Sequence, residues 1–346
     1  MRFIPEIRFE YDSSINYGQK IDDLLRQVKD DLIEQIVNQI TDNRSFLVVA
    51  HENPDGDAIG STLGLANALR EMGKEVLALN VDGVPQIMQF LPGHDQLVRV
   101  LPENAQFDVA FVLDAGDLSR TRIPTAEHCR TLINIDHHPH SDFGDICYLD
   151  TSASATAILI DRVLNRCDYQ MSLEVAKCLY LGILSDTGSF RYSSANPEAF
   201  AVAGRLVGSG VDPWEISGCL YESLAPERMR LLGLVLPTLQ ISPCGRYASV
   251  AMTEEVLKQS GAAEEHTDGF VNYPRAIRGV EVALFFRQVG RNKYKISFRS
   301  RGKVDVGAMA RKLGGGGHHN AAGAQMDGTL EDVRAQVSYL LDQQLP

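Results

Sequence analysis

Four short apolar runs constrain this chain more than any other feature: FLVVA at 46–50, VLAL at 76–79, VAFVLD at 109–114 and LINID at 132–136, with helical stretches between them. Such alternation predicts a parallel sheet wrapped by helices, because strands buried on both faces read as continuous apolar runs. Residues 157–184 and 198–209 also have helical character. After a connecting segment at 222–240 the pattern changes to strand-like RYASVAM at 246–252, VEVALFFRQ at 280–288 and YKISFRS at 294–300, then a glycine-rich turn and a final helix. The predicted fold class is α/β, with a Rossmann-like parallel-sheet domain at 46–221 and a smaller α/β domain at 241–346.

Residues 1–45 stand apart. Ile21, Leu24, Leu25, Val28, Leu32, Ile36 and Ile40 recur at helical spacing, which predicts an amphipathic helix that needs a partner surface.

Composition narrows the classes. With 346 residues, 44% hydrophobic and 23% charged, the chain can bury the cores of two domains. No stretch approaches the roughly 18 apolar residues of a membrane span, and MRFIPEIRFEYD lacks the apolar core of a signal peptide, so a cytoplasmic protein without membrane contact is expected. The six cysteines (Cys129, Cys147, Cys167, Cys178, Cys219 and Cys244) form no C-x-x-C pair and read as reduced structural thiols. A net charge of −12 disfavours a protein that coats long duplex DNA, while a small anionic substrate on a local basic patch stays compatible.

The chemistry gathers at strand ends. In VVAHENPDGDAIGS a buried strand ends at His51, and Asp55 and Asp57 follow in a tight loop. Ligands of open α/β sheets collect at the carboxyl ends of strands, and one imidazole with two carboxylates suits a divalent ion. Taken alone, Asp-Gly-Asp also fits an ordinary turn with a helix cap. Asp114 closes VAFVLD, and Asp136 closes LINID just before His137 and His138. A further carboxylate, Asp186, sits where an apolar helix breaks at SDTG; a helix-end aspartate is the bland alternative.

In the second domain, strand alternation over RNKYKISFRSRGK puts Lys293, Lys295, Ser297, Arg299, Arg301 and Lys303 on one face and Tyr294, Ile296 and Phe298 on the other. Protection of an edge strand by lysine is the bland alternative. Downstream, KLGGGGHHNAAGAQM at 312–326 predicts a phosphate-approaching glycine turn before a small-residue helix start.

These residues carry a resemblance. H-x-x-x-D-x-D-A-x-G-S at 51–61, D-x-x-D at 114–117, D-H-H at 136–138 and S-D-T-G at 185–188 resemble, in order, the motifs of the DHH phosphoesterases, and G-G-G-H-x-x-A-A-G at 315–323 resembles the DHH-associated substrate-binding domain. The family includes the exonuclease RecJ, family II pyrophosphatases, cyclic-dinucleotide phosphodiesterases and oligoribonucleases that also dephosphorylate 3'-phosphoadenosine 5'-phosphate. By matching position, the resemblance implies two divalent ions, manganese first and magnesium or cobalt as alternatives. His51 and Asp55 would hold one, Asp57, His137 and Asp186 the other, and Asp114 would bridge them. Asp136 would orient His137, and His138 would bind phosphate or protonate the leaving oxygen. Arg299, Gly316, Gly317 and His318 would hold the substrate's phosphate or sugar, and Arg191 is a further candidate contact.

The two-domain layout favours the oligoribonuclease and bisphosphate-nucleotide phosphatase branch, acting on short RNA or nucleotide phosphates. A linear or cyclic dinucleotide phosphodiesterase is the alternative, and a homodimer follows from the resemblance. The segment IPEIRFEYDSSINYGQKIDDLL also resembles the C-terminal tail of ribosome-binding factor A, so an accessory protein contacting ribosome or RNA ranks below both.

Overall fold

A computed structural model describes residues 14–139, 141–317 and 319–345; the first 13 residues and His318 lie outside the described residues. The chain divides between Ser223 and Leu224 into two units, each with its own sheet.

The first unit opens with α1 (Ser14–Asp42), a 29-residue helix. Ile33, Ile36 and Ile40 are buried in the unit's main core, whereas Ile21, Leu24 and Val28, one to three turns earlier on the same stripe, are exposed. The side chain of Leu25 lies outside the described residues. The apolar stripe therefore finds a partner surface over its second half.

Then follow β1 (Ser45–Ala50), α2 (Gly56–Glu71), β2 (Glu75–Leu79), β3 (Leu97–Val98), β4 (Phe107–Leu113), β5 (Cys129–Asp136), β6 (Ile146–Leu149) and four helices, α3 (Thr156–Arg166), α4 (Leu173–Asp186), α5 (Pro197–Gly208) and α6 (Pro213–Tyr221). The strands form a six-stranded parallel sheet in the order β3-β2-β1-β4-β5-β6. The helices do not wrap both faces. Alternate strand residues such as Phe46, Val48, Phe111 and Ile133 join the helices in one large core, while Leu47, Val49, Ala110 and Val112 on the opposite face are covered by turns carrying Leu118, Ile123 and Phe143. Short turns between β4 and β5 replace the crossover helix that would have covered that face.

One close approach fixes how α2 lies on α4. A Cβ at Gly60 would stand 2.5 Å from the Cys178 carbonyl oxygen, and one at Gly182 would stand 2.7 Å from an Asp57 oxygen. Only glycines let these helices meet backbone to backbone, and that contact carries Asp57 toward Asp186.

The second unit contains α7 (Pro226–Val235), β7 (Gln240–Ile241), β8 (Tyr247–Met252), α8 (Glu254–Ser260), α9 (Asn272–Arg275), β9 (Val282–Gly290), β10 (Lys293–Ser300), α10 (Val306–Lys312), β11 (Gly316–Gly317), β12 (Ala321–Asp327) and α11 (Leu330–Asp342). Residues 222–240, expected as a connector, thus include a helix whose Leu231, Leu232 and Val235 are buried in this unit. The sheet order is β11-β12-β10-β9-β8-β7, with only β8 and β9 parallel. Val282, Leu284, Phe286, Tyr294, Ile296 and Phe298 pack against α10 and α11 on one face, and Phe285 and Ala283 pack with α7 and Phe270 on the other.

The glycine segment differs from expectation. Its glycines follow α10 instead of preceding a helix, and AAGAQM forms β12, paired over seven residues with β10. Alanine favours helices, but pairing with β10 and burial of Ala322 and Ala324 in the sheet's core override that preference. Among the described residues no helix is long and apolar enough to cross a membrane.

Candidate metal centre and substrate face

Ala50, Leu113 and Ile135 stand side by side in register on β1, β4 and β5, so the next residues, His51, Asp114 and Asp136, leave the sheet at one level. The strand order reverses between β1 and β4, and open α/β sheets bind ligands at such a switch point. Asp114 takes a left-handed φ of 56°, a conformation Asp tolerates better than most residues.

Donor atoms of three groups converge to within 4.8 Å of one another: His51, Asp55 and Asp114; Asp57, His137 and Asp186; and Asp114, His137 and His138. Asp114 is common to the first and third groups. Its Oδ2 lies 3.8 Å from His51 Nε2, and its Oδ1 lies 3.4 Å from His137 Nε2. His137 Nε2 is also 3.1 Å from Asp186 Oδ2. His51, Asp57, Asp114 and Asp136 are 0–5% exposed, and Asp55 at the mouth is exposed.

The bland readings of two aspartates hold alongside the functional one. Asp55 caps α2 by accepting from Asp57 N and Ala58 N at 3.0 Å each. Asp57 accepts from Thr156 N at 2.5 Å and Ala157 N at 3.0 Å, at the start of α3, and from Ser61 Oγ at 3.0 Å. Carboxylates have about four acceptor sites, so these bonds orient the groups and leave lone pairs for an ion.

The donor set fits divalent cations. Nδ1 of His51 is held by the Glu52 carbonyl at 2.7 Å and Nδ1 of His137 by the Ala153 carbonyl at 3.3 Å, an arrangement that makes Nδ1 the donor and turns the Nε2 lone pair toward the carboxylates. His137 Nε2 is buried with no hydrogen-bond partner. A lone pair facing carboxylate oxygens is stable only with a proton or a metal ion between them. At about 4 Å and an effective dielectric of about 20, each carboxylate pair repels by about 4 kcal/mol, so positive charge must enter the cluster.

Without metal, protons supply it. Burial opposes charging His137, but Asp114 and Asp186 outweigh it and raise its pKa to about 12; Asp114 and Asp136 likewise overcome burial to raise His138 to about 10. Burial, with the charges of Asp55 and Asp114, raises Asp186 to about 6, and burial with Asp114 and Asp186 raises Asp57 well above its ordinary range. Asp114 falls well below its own, because the two neighbouring histidines outweigh its burial.

Asp136 does not orient His137. Its Oδ1 accepts from His138 N at 2.8 Å and meets His138 Nδ1 at 2.9 Å, while its Oδ2 accepts from Gly116 N and Ser141 Oγ, both at 2.7 Å. At the end of β5 the Asp136 side chain turns toward the following loop, and so toward His138.

In the second unit β10 is an interior strand, so edge protection does not explain its basic face. Tyr294, Ile296 and Phe298 are buried, and Lys293, Lys295, Ser297 and Arg299 alternate with them. Arg301 and Lys303 lie beyond the strand, where Arg301 donates to the Arg275 carbonyl and Lys303 pairs with Glu281. Lys295, Ser297 and Arg299 line a cavity of about 190 Å³ together with Arg287, Phe270 and Thr267 and with the acidic Glu264, Glu265 and Asp268, of which Glu264 pairs with Arg287 at 2.7 Å. Ser297 is in register with Gly323, and Gly323 with Gly316, so bare backbone continues the floor of this face. A Cβ at Gly317, whose φ is 135°, would meet the Ala322 Cα at 2.5 Å. Arg191 is exposed and donates to the Gly188 carbonyl.

Residues 45–183 match the DHH family, N-terminal domain, and residues 247–344 match the DHHA1 domain. The chain is 37% identical over 304 residues to the bifunctional oligoribonuclease and PAP phosphatase NrnA of Thermus thermophilus, spanning 84% of this chain and 90% of that protein. This chain belongs to the DHH family. It is 28% identical to the protein of the same name from Bacillus subtilis over 84% of this chain and 92% of that one. The crystal structure of an exopolyphosphatase-related protein from Bacteroides fragilis superimposes with a TM-score of 0.83 at 30% identity, covering 91% of this chain and 96% of that one.

Several residues that shape the centre of this DHH protein escaped the sequence reading. Thr156 donates its hydroxyl to Asp114 at 3.1 Å, and its backbone amide joins that of Ala157 on Asp57. Ser141 and Gly116 hold Asp136. The one local signal was the small polar run at 151–156, TSASAT, which resembles any helix entry.

Proposed function

We propose that this chain is a two-metal phosphoesterase, using Mn²⁺, that hydrolyses short oligoribonucleotides and the phosphate ester of 3'-phosphoadenosine 5'-phosphate. The observation that carries the reading is Asp114, which faces His51 with one oxygen and His137 with the other, between two nitrogen-and-carboxylate donor sets at the switch point. The relatives named as oligoribonuclease and PAP phosphatase support the substrate class. His51 and Asp55 would hold one ion, Asp57, His137 and Asp186 the other, and Asp114 both. Two divalent ions, when bound, supply an activated water and neutralise charge on the phosphoryl oxygens.

The chain's own groups do the rest. Asp136 fixes Nδ1 of His138, which leaves Nε2 as the atom to meet a phosphate or protonate the leaving oxygen. Arg299 and the backbone at Gly316 and Gly317, together with His318, would hold the part of the substrate that does not react. Cytoplasmic location and a homodimeric state belong to the same proposal and rest on family resemblance alone.

The test is Mn²⁺-dependent product release from a panel: 3'-phosphoadenosine 5'-phosphate, RNAs of two to five nucleotides, linear and cyclic dinucleotides, and pyrophosphate. Turnover of the bisphosphate and the short RNAs is expected. Preference for dinucleotides alone would replace this reading with a dinucleotide phosphodiesterase, and no turnover would overturn it.

A further inference from the structure

We propose that Lys29, on the N-terminal helix, is a positioning residue for the metal centre, acting through its salt bridge to Asp150. The inference rests on the metal reading above and extends it to a part of the chain outside both matched domains.

The segment 150–157 runs from the end of β6 into α3, and it touches the strand-end cluster repeatedly. The Asp150 amide donates to the Asp136 carbonyl at 3.1 Å. The Ala153 carbonyl accepts from His137 Nδ1 at 3.3 Å, the Thr156 hydroxyl donates to Asp114 at 3.1 Å, and the amides of Thr156 and Ala157 donate to Asp57 at 2.5 and 3.0 Å. Three of the proposed ligands therefore take their orientation from this one segment. Residues 151–155 are small and form neither helix nor strand, so hydrogen bonds set their path. Asp150 Oδ1 accepts from Ser152 N at 3.0 Å and Ser152 Oγ at 2.6 Å, Asn196 donates to the Ser152 carbonyl at 2.9 Å, and Ser154 donates to the Ser194 carbonyl.

Asp150 is the anchor, and its charge balance depends on α1. Its carboxylate is 4% exposed, and Oδ2 meets Arg162 at 2.7 Å and Lys29 at 2.8 Å. Arg162 is divided: it also makes two bonds to Glu198, at 2.8 and 2.7 Å, and one to Tyr148 at 2.9 Å. Two carboxylates thus share one guanidinium, and Lys29 supplies the second positive charge. Removing one partner of a buried charge network is costly, because the remaining charge stays desolvated. Lys29 is in place because Ile33, one turn later, and Ile36 and Ile40 fix the rotation of α1 on the core. A second pair on α1, Glu34 with Arg166, ties the helix to the far end of α3 without touching Asp150.

The experiment is Mn²⁺ binding to the full chain, read from the electron paramagnetic resonance signal of free Mn²⁺, with melting temperatures in chelator. Wild type is compared with Lys29→Met, Lys29→Arg and Arg166→Met. Lys29→Met is expected to weaken Mn²⁺ binding by about 3- to 10-fold, below the roughly 10- to 100-fold known for groups bonded directly to a ligand. Lys29→Arg should restore it, and Arg166→Met, which breaks an exposed pair on the same helix, should lower the melting temperature less and leave Mn²⁺ affinity unchanged. In an Asp150→Asn background, Lys29→Met should have no further effect. Wild-type Mn²⁺ affinity in Lys29→Met, or an equal loss in Arg166→Met, would overturn the proposal. Wild type that binds no Mn²⁺ would instead bring down the metal reading itself.

Discussion

At the strand ends of the first unit, His51, Asp57, Asp114 and Asp136 are buried and already met by backbone amides, carbonyls and hydroxyls, whereas on β10 of the second unit Lys295 is exposed and Ser297 and Arg299 are half-buried beside bare glycine backbone. The first region concentrates like charge where water cannot screen it, so each group must be held and a cation must complete it. The second keeps its charges near solvent, at little cost in stability. Preorganised burial suits the reacting atoms; a solvated basic face suits the grip on the rest of a substrate.

That contrast can be broken most severely at Asp114. Asp114→Ala should remove Mn²⁺ binding at both positions and lower turnover by at least about 10³-fold while circular dichroism stays native. A fully active variant would sink the assignment of this residue. Asp136→Asn tests the step outward. It should leave the bound Mn²⁺ count intact and lower kcat by about 10- to 100-fold, because the carboxylate bonds only His138, Gly116 and Ser141 and none of the proposed ligands. An equal loss of metal would place Asp136 among the groups that hold the ion.

The buried centre should also betray itself by protons. His137 is raised to about 12 and Asp186 to about 6, so the metal-free protein carries a proton on His137 at neutral pH that an ion must displace. Apparent Mn²⁺ affinity should therefore rise with pH through neutrality, by about tenfold per pH unit for each proton displaced, and more steeply below about pH 6, where Asp186 must also lose a proton. Calorimetry in buffers of different ionisation enthalpy measures this release; none at pH 7 would contradict the ligand role of His137. The smallest effect belongs to the second unit. Arg299→Ala should raise KM by roughly 5- to 10-fold with kcat nearly unchanged, the pattern of lost uniform binding. A fall in kcat at constant KM would move Arg299 from grip to chemistry.

Much of the first unit was legible because its signal is local and redundant. The runs at 76–79, 109–114 and 132–136 lie within two or three residues of β2, β4 and β5, since a strand buried on both faces must be apolar throughout. Asp114 and Asp136 stood out because each closes such a run. Thr156 and Ala157 were invisible: they reach Asp57 across some hundred residues of chain, through backbone amides that any residue type carries. The same limit misdirected Asp136, whose choice between two adjacent histidines is a matter of side-chain rotation. In the second unit, AAGAQM reads locally as a helix start, and only the pairing demand of β10 makes it a strand.

By itself, then, the amino-acid sequence determined the parallel sheet, the basic and apolar faces of β10, and the residue types able to bind ions, because periodicity and donor chemistry are properties of short segments. Tertiary structure alone decided that the helices cover one face of the first sheet, that Gly60 and Gly182 bring α2 onto α4, that Asp136 serves His138, and that Lys29 reaches Asp150. Each of these depends on atoms distant in the chain or on the rotation of a side chain, and neither a period nor a motif carries that information.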